Sequence, residues 1–356
     1  MNFKNKISTL LLVATIMLSG YANAQNSNAP QVNTITTAVP FLTIATDTRA
    51  GGMGDVGIAT SPDAGGAQLN GAKMAFVEND FGVSMSFTPW LKALVGDIYL
   101  ANISGYYKIK GVQTVHAGIR YFSMGQIQFT DDQGNNTAQS RPQELAVDAG
   151  YARKFGIVSV DVTLRFIYSN IAGTVTNGST SMTPGIAGAG DISFFLNKKW
   201  DGKGKEDSHE LYAGMNLSNL GSKIAYSSNV TKDFIPANMG IGLGYKYNIN
   251  KLHSVGAYMD INKLLVPTPI PSQNLYNTPG QPGSGIKSQY DTNNDGIADF
   301  RAMSSVAGIF NSFNPSSAPG GVKEKLEEIN FGIGAEYWYK KMFGVRTGYF
   351  YENPYK

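Results

Sequence analysis

Asp291, Asn293, Asp295 and Asp299 place side-chain oxygens at the first, third, fifth and ninth positions of one short run, with Gly296 at the sixth. That is how a calcium loop begins: carboxylates and amides converge on a hard cation while a glycine allows the sharp turn. The bidentate acid expected at the twelfth position is replaced by Ala302, and the flanks do not read as paired helices. Two readings stay open, a weak structural Ca2+ site and a polar turn on a long surface loop. Other chemistry finds less support. His116, His209 and His253 lie far apart, and no Gly-x-Ser-x-Gly elbow is present. Gly51, Gly52 and Gly54 form a glycine-rich run, but no Gly-Lys-Ser/Thr follows to make a phosphate loop. The chain has no cysteine. Disulfides, thiolate metal sites and a catalytic cysteine are therefore excluded, and no lipid-modified cysteine is expected. The expectation is a protein that binds and is not an enzyme, with no cofactor beyond that Ca2+.

The elements that would carry these residues read as membrane strands. Lys4 and Lys6 precede an apolar run from Ile7 to Leu18, and Ala22-Asn23-Ala24 is a small-x-small cleavage site. Residues 1–24 are thus read as a signal peptide, since a spanning helix needs about twenty apolar residues. No later run is long enough to cross as a helix. Glycine, tyrosine and phenylalanine are abundant (41, 19 and 18), while charged residues are only 15%. That balance suits an exported β-barrel. The net charge of +3 is spread thinly, so a nucleic-acid partner is not expected.

Alternation with period two recurs along the chain. Val158, Val160, Val162, Leu164 and Phe166 alternate with Ser159, Asp161, Thr163 and Arg165. Met239 to Tyr247 and Ile329 to Tyr337 follow the same rule. Eleven such segments are predicted, at 81–89, 97–109, 112–124, 143–155, 157–170, 186–197, 209–219, 236–249, 251–262, 327–341 and 342–352. Most are long enough to cross a bilayer at a tilt, whereas soluble sandwich strands run about 5–6 residues. With the first strand running outward, the connections after even-numbered strands are tight, apart from 198–208. Those at 125–142, 171–185, 220–235 and 263–326 are long. Short turns on the periplasmic side and long loops outside are the rule for outer-membrane barrels. Inward positions carry Arg120, Asp148, Asp161, Arg165, Asp191, Lys246, Asp260, Glu336 and Arg346, which are expected to form a wet structural network, the alternative being a ligand path.

Residues 25–80 do not alternate and read as a glycine-punctuated plug, or hatch, ahead of the barrel at 81–356. Here Asp47-Thr-Arg-Ala-Gly-Gly-Met-Gly-Asp55 and Ala59-Thr-Ser-Pro-Asp-Ala64 resemble the PorV (LptO) family, outer-membrane proteins of the Bacteroidetes type IX secretion system. Ile333-Gly-Ala-Glu-Tyr-Trp-Tyr339 and Gly348-Tyr-Phe-Tyr-Glu-Asn353 resemble it too. The similarity runs from about residue 38 to the last residue. Gly71 departs from it, because the family usually has proline after the asparagine. The resemblance implies an all-β, FadL-like transmembrane barrel whose plug motif comprises Asp47, Arg49, Gly51, Gly52, Gly54 and Asp55. It also implies a carrier. Such a carrier receives the C-terminal signal domain of cargo at the translocon channel. It then delivers that domain to an attachment complex containing a sortase-like peptidase. The competing function is a FadL-like transporter of hydrophobic small molecules.

Two expectations remain. The 263–326 insertion is too long for a plain connector and carries Phe300, Ile309, Phe310 and Phe313. It reads either as a partner-docking loop or as a disordered one. Eleven strands is an odd number, and single-chain bacterial barrels normally have an even one. The resembled family has about fourteen. The sequence is therefore expected to lack its last strands, leaving a seam between 81–89 and 342–352; the alternative is a twelfth strand within 220–235 or the 263–326 insertion.

Overall fold

The computed structural model describes residues 34–354 except 91, 93, 94, 172–175, 178, 179, 182, 205, 228–231, 270–298 and 319. Its frame is one antiparallel meander of eleven strands, each paired with its neighbours in chain order. They are β1 (Phe81–Pro89), β2 (Ile98–Ile109), β3 (Gln113–Met124), β6 (Gln143–Phe155), β7 (Val158–Asn170), β10 (Gly185–Asp201), β11 (Ser208–Gly221), β12 (Asn238–Asn248), β13 (His253–Leu264), β14 (Ile329–Tyr339) and β15 (Phe343–Tyr351). Two small hairpins decorate the long loops: β4 (Ile127–Thr130) with β5 (Asn136–Ser140), and β8 (Thr176–Asn177) with β9 (Thr180–Ser181). Among the described residues β1 pairs only with β2 and β15 only with β14, so the sheet is open between them. No helix among the described residues is long and apolar enough to cross a membrane.

The alternation is inverted relative to a soluble protein. On β7, Val162, Leu164 and Phe166 are 56%, 69% and 47% exposed, while Asp161, Thr163 and Arg165 between them are 5% exposed or less. Water on the outside would penalise every one of these strands. Lipid outside and a polar lumen inside satisfy them all. Aromatic side chains gather where the strands leave this apolar belt. His209 stacks between Trp200 (5.5 Å) and Tyr247 (4.8 Å), and His253 lies against Tyr337 and Tyr339. The His209 and His253 Nδ1 atoms lie 2.7 and 2.6 Å from the hydroxyls of Tyr245 and Tyr337. These two histidines are girdle residues, amphipathic rings at the edge of the belt.

The strand positions agree with the alternation to within a few residues, with one correction. β10 runs on to Asp201 and β11 starts at Ser208, so the expected 198–208 connection shrinks to 202–207. Lys198 and Lys199 interrupt the apolar rhythm without ending the ladder, because they lie beyond the hydrocarbon. The tight turns rely on left-handed backbone. Gly156 opens a two-residue turn at φ +63°, whereas Lys340 and Lys341 both sit at φ +55°. A side chain costs about 1–2 kcal/mol in that region. Lys341→Gly is therefore expected to stabilise the β14–β15 hairpin by about 1 kcal/mol. The readout is the urea midpoint of the purified protein in detergent, and an unchanged or lower midpoint counts against the assignment.

Candidate functional site: the hatch and its seat

Residues 34–80 fold into short helical turns packed on the inner face of the sheet. The central turn is the helix Thr48–Gly51, followed by 3-10 helices at Gly66–Gln68 and Gly71–Phe76. Asp47 caps the first, its carboxylate accepting from the Arg49 backbone N–H at 3.1 Å. Asn70 caps the last in the same way, accepting from Ala72 at 3.1 Å. Neither turn would persist alone, since such helices are far too short. What holds them is the seat.

Three anchors form that seat. In the first, the Arg49 guanidinium donates to both Glu336 oxygens on β14 (3.1 and 2.6 Å), to the Ser61 carbonyl (2.8 Å), to the Ser61 hydroxyl (2.7 Å) and to Asp63. Burial alone would disfavour the charge on this guanidinium. Asp63 and Glu336 outweigh it and hold the charge firmly in place. In the second, Asp260 of β13 accepts from two successive hatch amides, Gly57 N–H at 2.7 Å and Ile58 N–H at 2.8 Å. The third braces the hatch internally: the fully buried Lys73 donates to the Gly57 carbonyl and the Thr60 hydroxyl, both at 2.8 Å. Burial pushes its ammonium below the usual lysine range, against the pull of Asp63.

Backbone contact supplies the rest. A Cβ on Gly348 would lie 2.0 Å from the Met53 carbonyl carbon, and one on Gly332 would lie 2.3 Å from the Gly54 carbonyl oxygen. Gly54 itself, at φ +71°, would meet the Tyr349 backbone at 2.7 Å. The hatch backbone therefore lies directly on β14 and β15, which only glycine on both surfaces permits. Gly51 and Gly52 do not share this role. Nothing approaches a Cβ on Gly51, and the nearest atom to one on Gly52 is 3.4 Å away. Of the three hatch glycines, Gly54 alone makes this close approach to the wall. Asp55 is exposed, with φ +60°. Gly71 sits where a Cβ would fall 2.3 Å from Asp161 Oδ2, beside the His116–Asp161 pair at 2.8 Å.

Towards the extracellular ends, a separate ladder crosses the lumen wall. Arg165 bridges Asp148 (2.6 Å) and Asp191 (2.9 Å), and Arg120 reaches Asp148 at 3.4 Å and the Leu42 carbonyl at 3.3 Å. Two cavities flank the hatch. The outer one, about 450 Å³, is bordered by Val39, Phe122, Glu144 and Tyr226. The inner one, about 420 Å³, is bordered by Arg49, Glu210, Lys246 and Lys341.

Asp291, Asn293 and Asp295 lie outside the described residues, and Asp299 opens a 3-10 helix running to Ala302. Among the described residues no cluster of three histidine, cysteine or carboxylate side chains could hold a metal. In the insertion, Phe310 is 74% and Phe313 48% exposed, while Phe300 and Ile309 are half-buried. Sequence reasoning did not assign Asp260 or Lys73 to the seat. Asp260 was visible as an inward charge. Its partners lie 203 and 202 residues away, so nothing local revealed them.

The family model described as "Type IX secretion system protein PorV" matches residues 26–271. Among solved structures, the toluene transporter TodX of Pseudomonas putida is similar at 10% identity, over 90% of this chain and 85% of that one, with a TM-score of 0.40. The toluene transporter TbuX of Ralstonia pickettii is similar at 13%, over 85% of each chain, with a TM-score of 0.34. The outer-membrane protein OmpT of Vibrio cholerae is similar at 11%, over 52% and 51%, with a TM-score of 0.29. The chain spans about half the length of the OmpT structures it matches. No curated protein matches it. The family match takes in well over half of the chain, including the hatch and most of the lipid-facing strands. The chain belongs to the PorV family and is an outer-membrane component of the type IX secretion system.

Proposed function

We propose that this protein is a cargo carrier: it binds the C-terminal signal domain of secreted proteins at the translocon channel and presents it to the surface attachment complex and its sortase-like peptidase. The observation that carries this reading is the division of labour in the molecule. The lumen is filled by a hatch anchored through Arg49, Asp260 and backbone contact. Exposed apolar side chains stand out on the insertion between β13 and β14, where Phe310 is 74% and Val306 64% exposed. Apolar side chains held out in this way are characteristic of partner surfaces.

The test is recovery of partners from native membranes. Tagged protein is expected to bring down proteins carrying type IX C-terminal domains, together with translocon or attachment-complex subunits. Val306→Asp with Phe310→Asp is expected to leave a folded, heat-modifiable barrel and to reduce that recovery several-fold. If wild-type protein recovers none of these, and deleting its gene leaves secretion intact, the carrier reading fails. A second reading, transport of a hydrophobic small molecule, draws on the outer cavity with its Val39 and Phe122 lining. It requires the hatch to move, and it is the better account if gene loss abolishes uptake of such a compound while secretion continues.

A further inference from the structure

Lys263 stands in the wrong row. On β13, Val255, Ala257, Met259 and Ile261 point outward to lipid, and Lys263 follows them with the same parity. A lysine there is costly in mid-membrane and tolerable only near the interface. Its side chain is nonetheless buried, donating to Glu328 at 2.7 Å and lying under the Phe313 ring at 6.0 Å. Glu328 also accepts from Thr268, and Thr268 from Lys325. This polar cluster marks the level at which hydrocarbon ends on the extracellular side. Ile261 sits two residues deeper, about 7 Å at strand rise.

Just below that level lies a groove of about 310 Å³ between the outer barrel wall and the insertion. Met239, Ile241, Ile261 and Ile329 form its floor, and Phe313, Val322 and Leu326 overhang it. Val322 and Leu326 are four residues apart on the helix Gly321–Glu327, so they share one face. Both remain more than 60% exposed, so the groove is open at its side. Ile241 and Ile261 on its floor also belong to the lipid-facing belt, exposed at 47% and 40%. The groove is therefore continuous with the membrane interface and has a polar rim on its extracellular edge.

We propose that this groove holds an acyl chain of an outer-leaflet lipid, clamped against the outer wall of β12–β14 by the helix Gly321–Glu327. The chain enters from the belt and packs on Ile241 and Ile261, and its polar end lies at the level of the Lys263–Glu328–Lys325 cluster. The clamp fixes the base of the insertion to the membrane surface. The inference depends on the outer-membrane location and not on the carrier reading.

The chain contains no cysteine, so a single introduced cysteine is a unique handle. Val322→Cys or Leu326→Cys, labelled with a benzophenone maleimide in outer-membrane vesicles and irradiated, is expected to give a peptide carrying the mass of a membrane lipid. Lys323→Cys, whose parent side chain is 86% exposed on the same helix, is expected to give several-fold less. Ile261→Trp fills the groove. It is expected to cut the lipid adduct at 322 and 326 several-fold and to leave labelling at Leu243→Cys, elsewhere on the belt, unchanged. If Ile261→Trp does not fold, as judged by cold-gel mobility, Met239→Trp takes its place. Adducts to another protein, equal lipid labelling at all three helix positions, or labelling indifferent to the filled groove would each overturn the proposal.

Discussion

Arg165→Met should be among the most damaging single substitutions in the lumen wall, with most of the protein losing its compact mobility on a cold gel. Arg165 is buried on β7 and serves two carboxylates on the neighbouring strands. Its Nε donates to Asp148 at 2.6 Å, and its two terminal nitrogens donate to Asp191 at 3.0 and 2.9 Å. It donates to the Asn219 side chain as well. Removing it leaves Asp148 with Arg120 at 3.4 Å and Asp191 with the Asn219 N–H at 2.7 Å. Breaking a buried pair by deleting one partner typically costs about 3–5 kcal/mol, because an uncompensated charge stays behind. Here Asp191 is left without a cation, while Asp148 still has Arg120. The decisive comparison adds Asp191→Asn, which removes the uncompensated charge and keeps Asp148 for Arg120. The double variant should recover a large part of the lost stability in a urea titration followed by heat-modifiability. If the single variant is as stable as wild type, or the double variant is worse than the single, the ladder is not the support argued here.

The strands were legible because the membrane imposes a local rule. Each crossing segment must be apolar on alternate residues, and each carries that instruction within its own nine to seventeen residues. The reading failed only where strands leave the hydrocarbon. Lys198, Lys199 and Asp201 are charged, so alternation stopped signalling while the ladder continued to Asp201. The strand predicted to end at 262 runs on to Leu264, and the charge of Lys263 on its lipid-facing row is explained only by Glu328, 65 residues further along the chain.

The hatch was legible as a composition and not as a mechanism. Its glycines announced close approach, but sequence could not say which of them touch the wall. Gly54 does, against Tyr349, and Gly51 does not. The complementary glycines, Gly332 and Gly348, lie in strands where they looked like ordinary small inward residues. The resemblance drew attention to Arg49 without naming its partner. That partner, Glu336, is 287 residues away and is brought to Arg49 only when the sheet folds around the hatch. The calcium-like run falls outside the described residues for three of its four oxygen donors, so its two readings stand as the sequence left them.

Arg49→Met should separate the hatch from the barrel without unfolding the barrel. The asymmetry follows from who loses a partner. Glu336 keeps the Tyr258 hydroxyl at 2.9 Å and Arg346 at 3.4 Å, so the wall remains satisfied. The hatch loses its fork to β14, its bonds to Ser61 and its contact with Asp63 at one stroke. Hydrogen bonds to charged groups contribute about 1.5–3 kcal/mol each. A net loss of about 3 kcal/mol would raise the population of the open hatch on the order of 100-fold. Cold-gel mobility should be retained, while protease added from the periplasmic side should cut within 47–64 far faster than in wild type. Arg49→Lys should behave almost as badly, because an ammonium cannot hold Glu336 and Ser61 together as the planar fork does. Glu336→Gln tests the same bond from the wall: it keeps one acceptor for Arg49 and should loosen the hatch less than Arg49→Met. Equal protease resistance in all three variants would mean that Asp260 and the glycine contacts hold the hatch without Arg49.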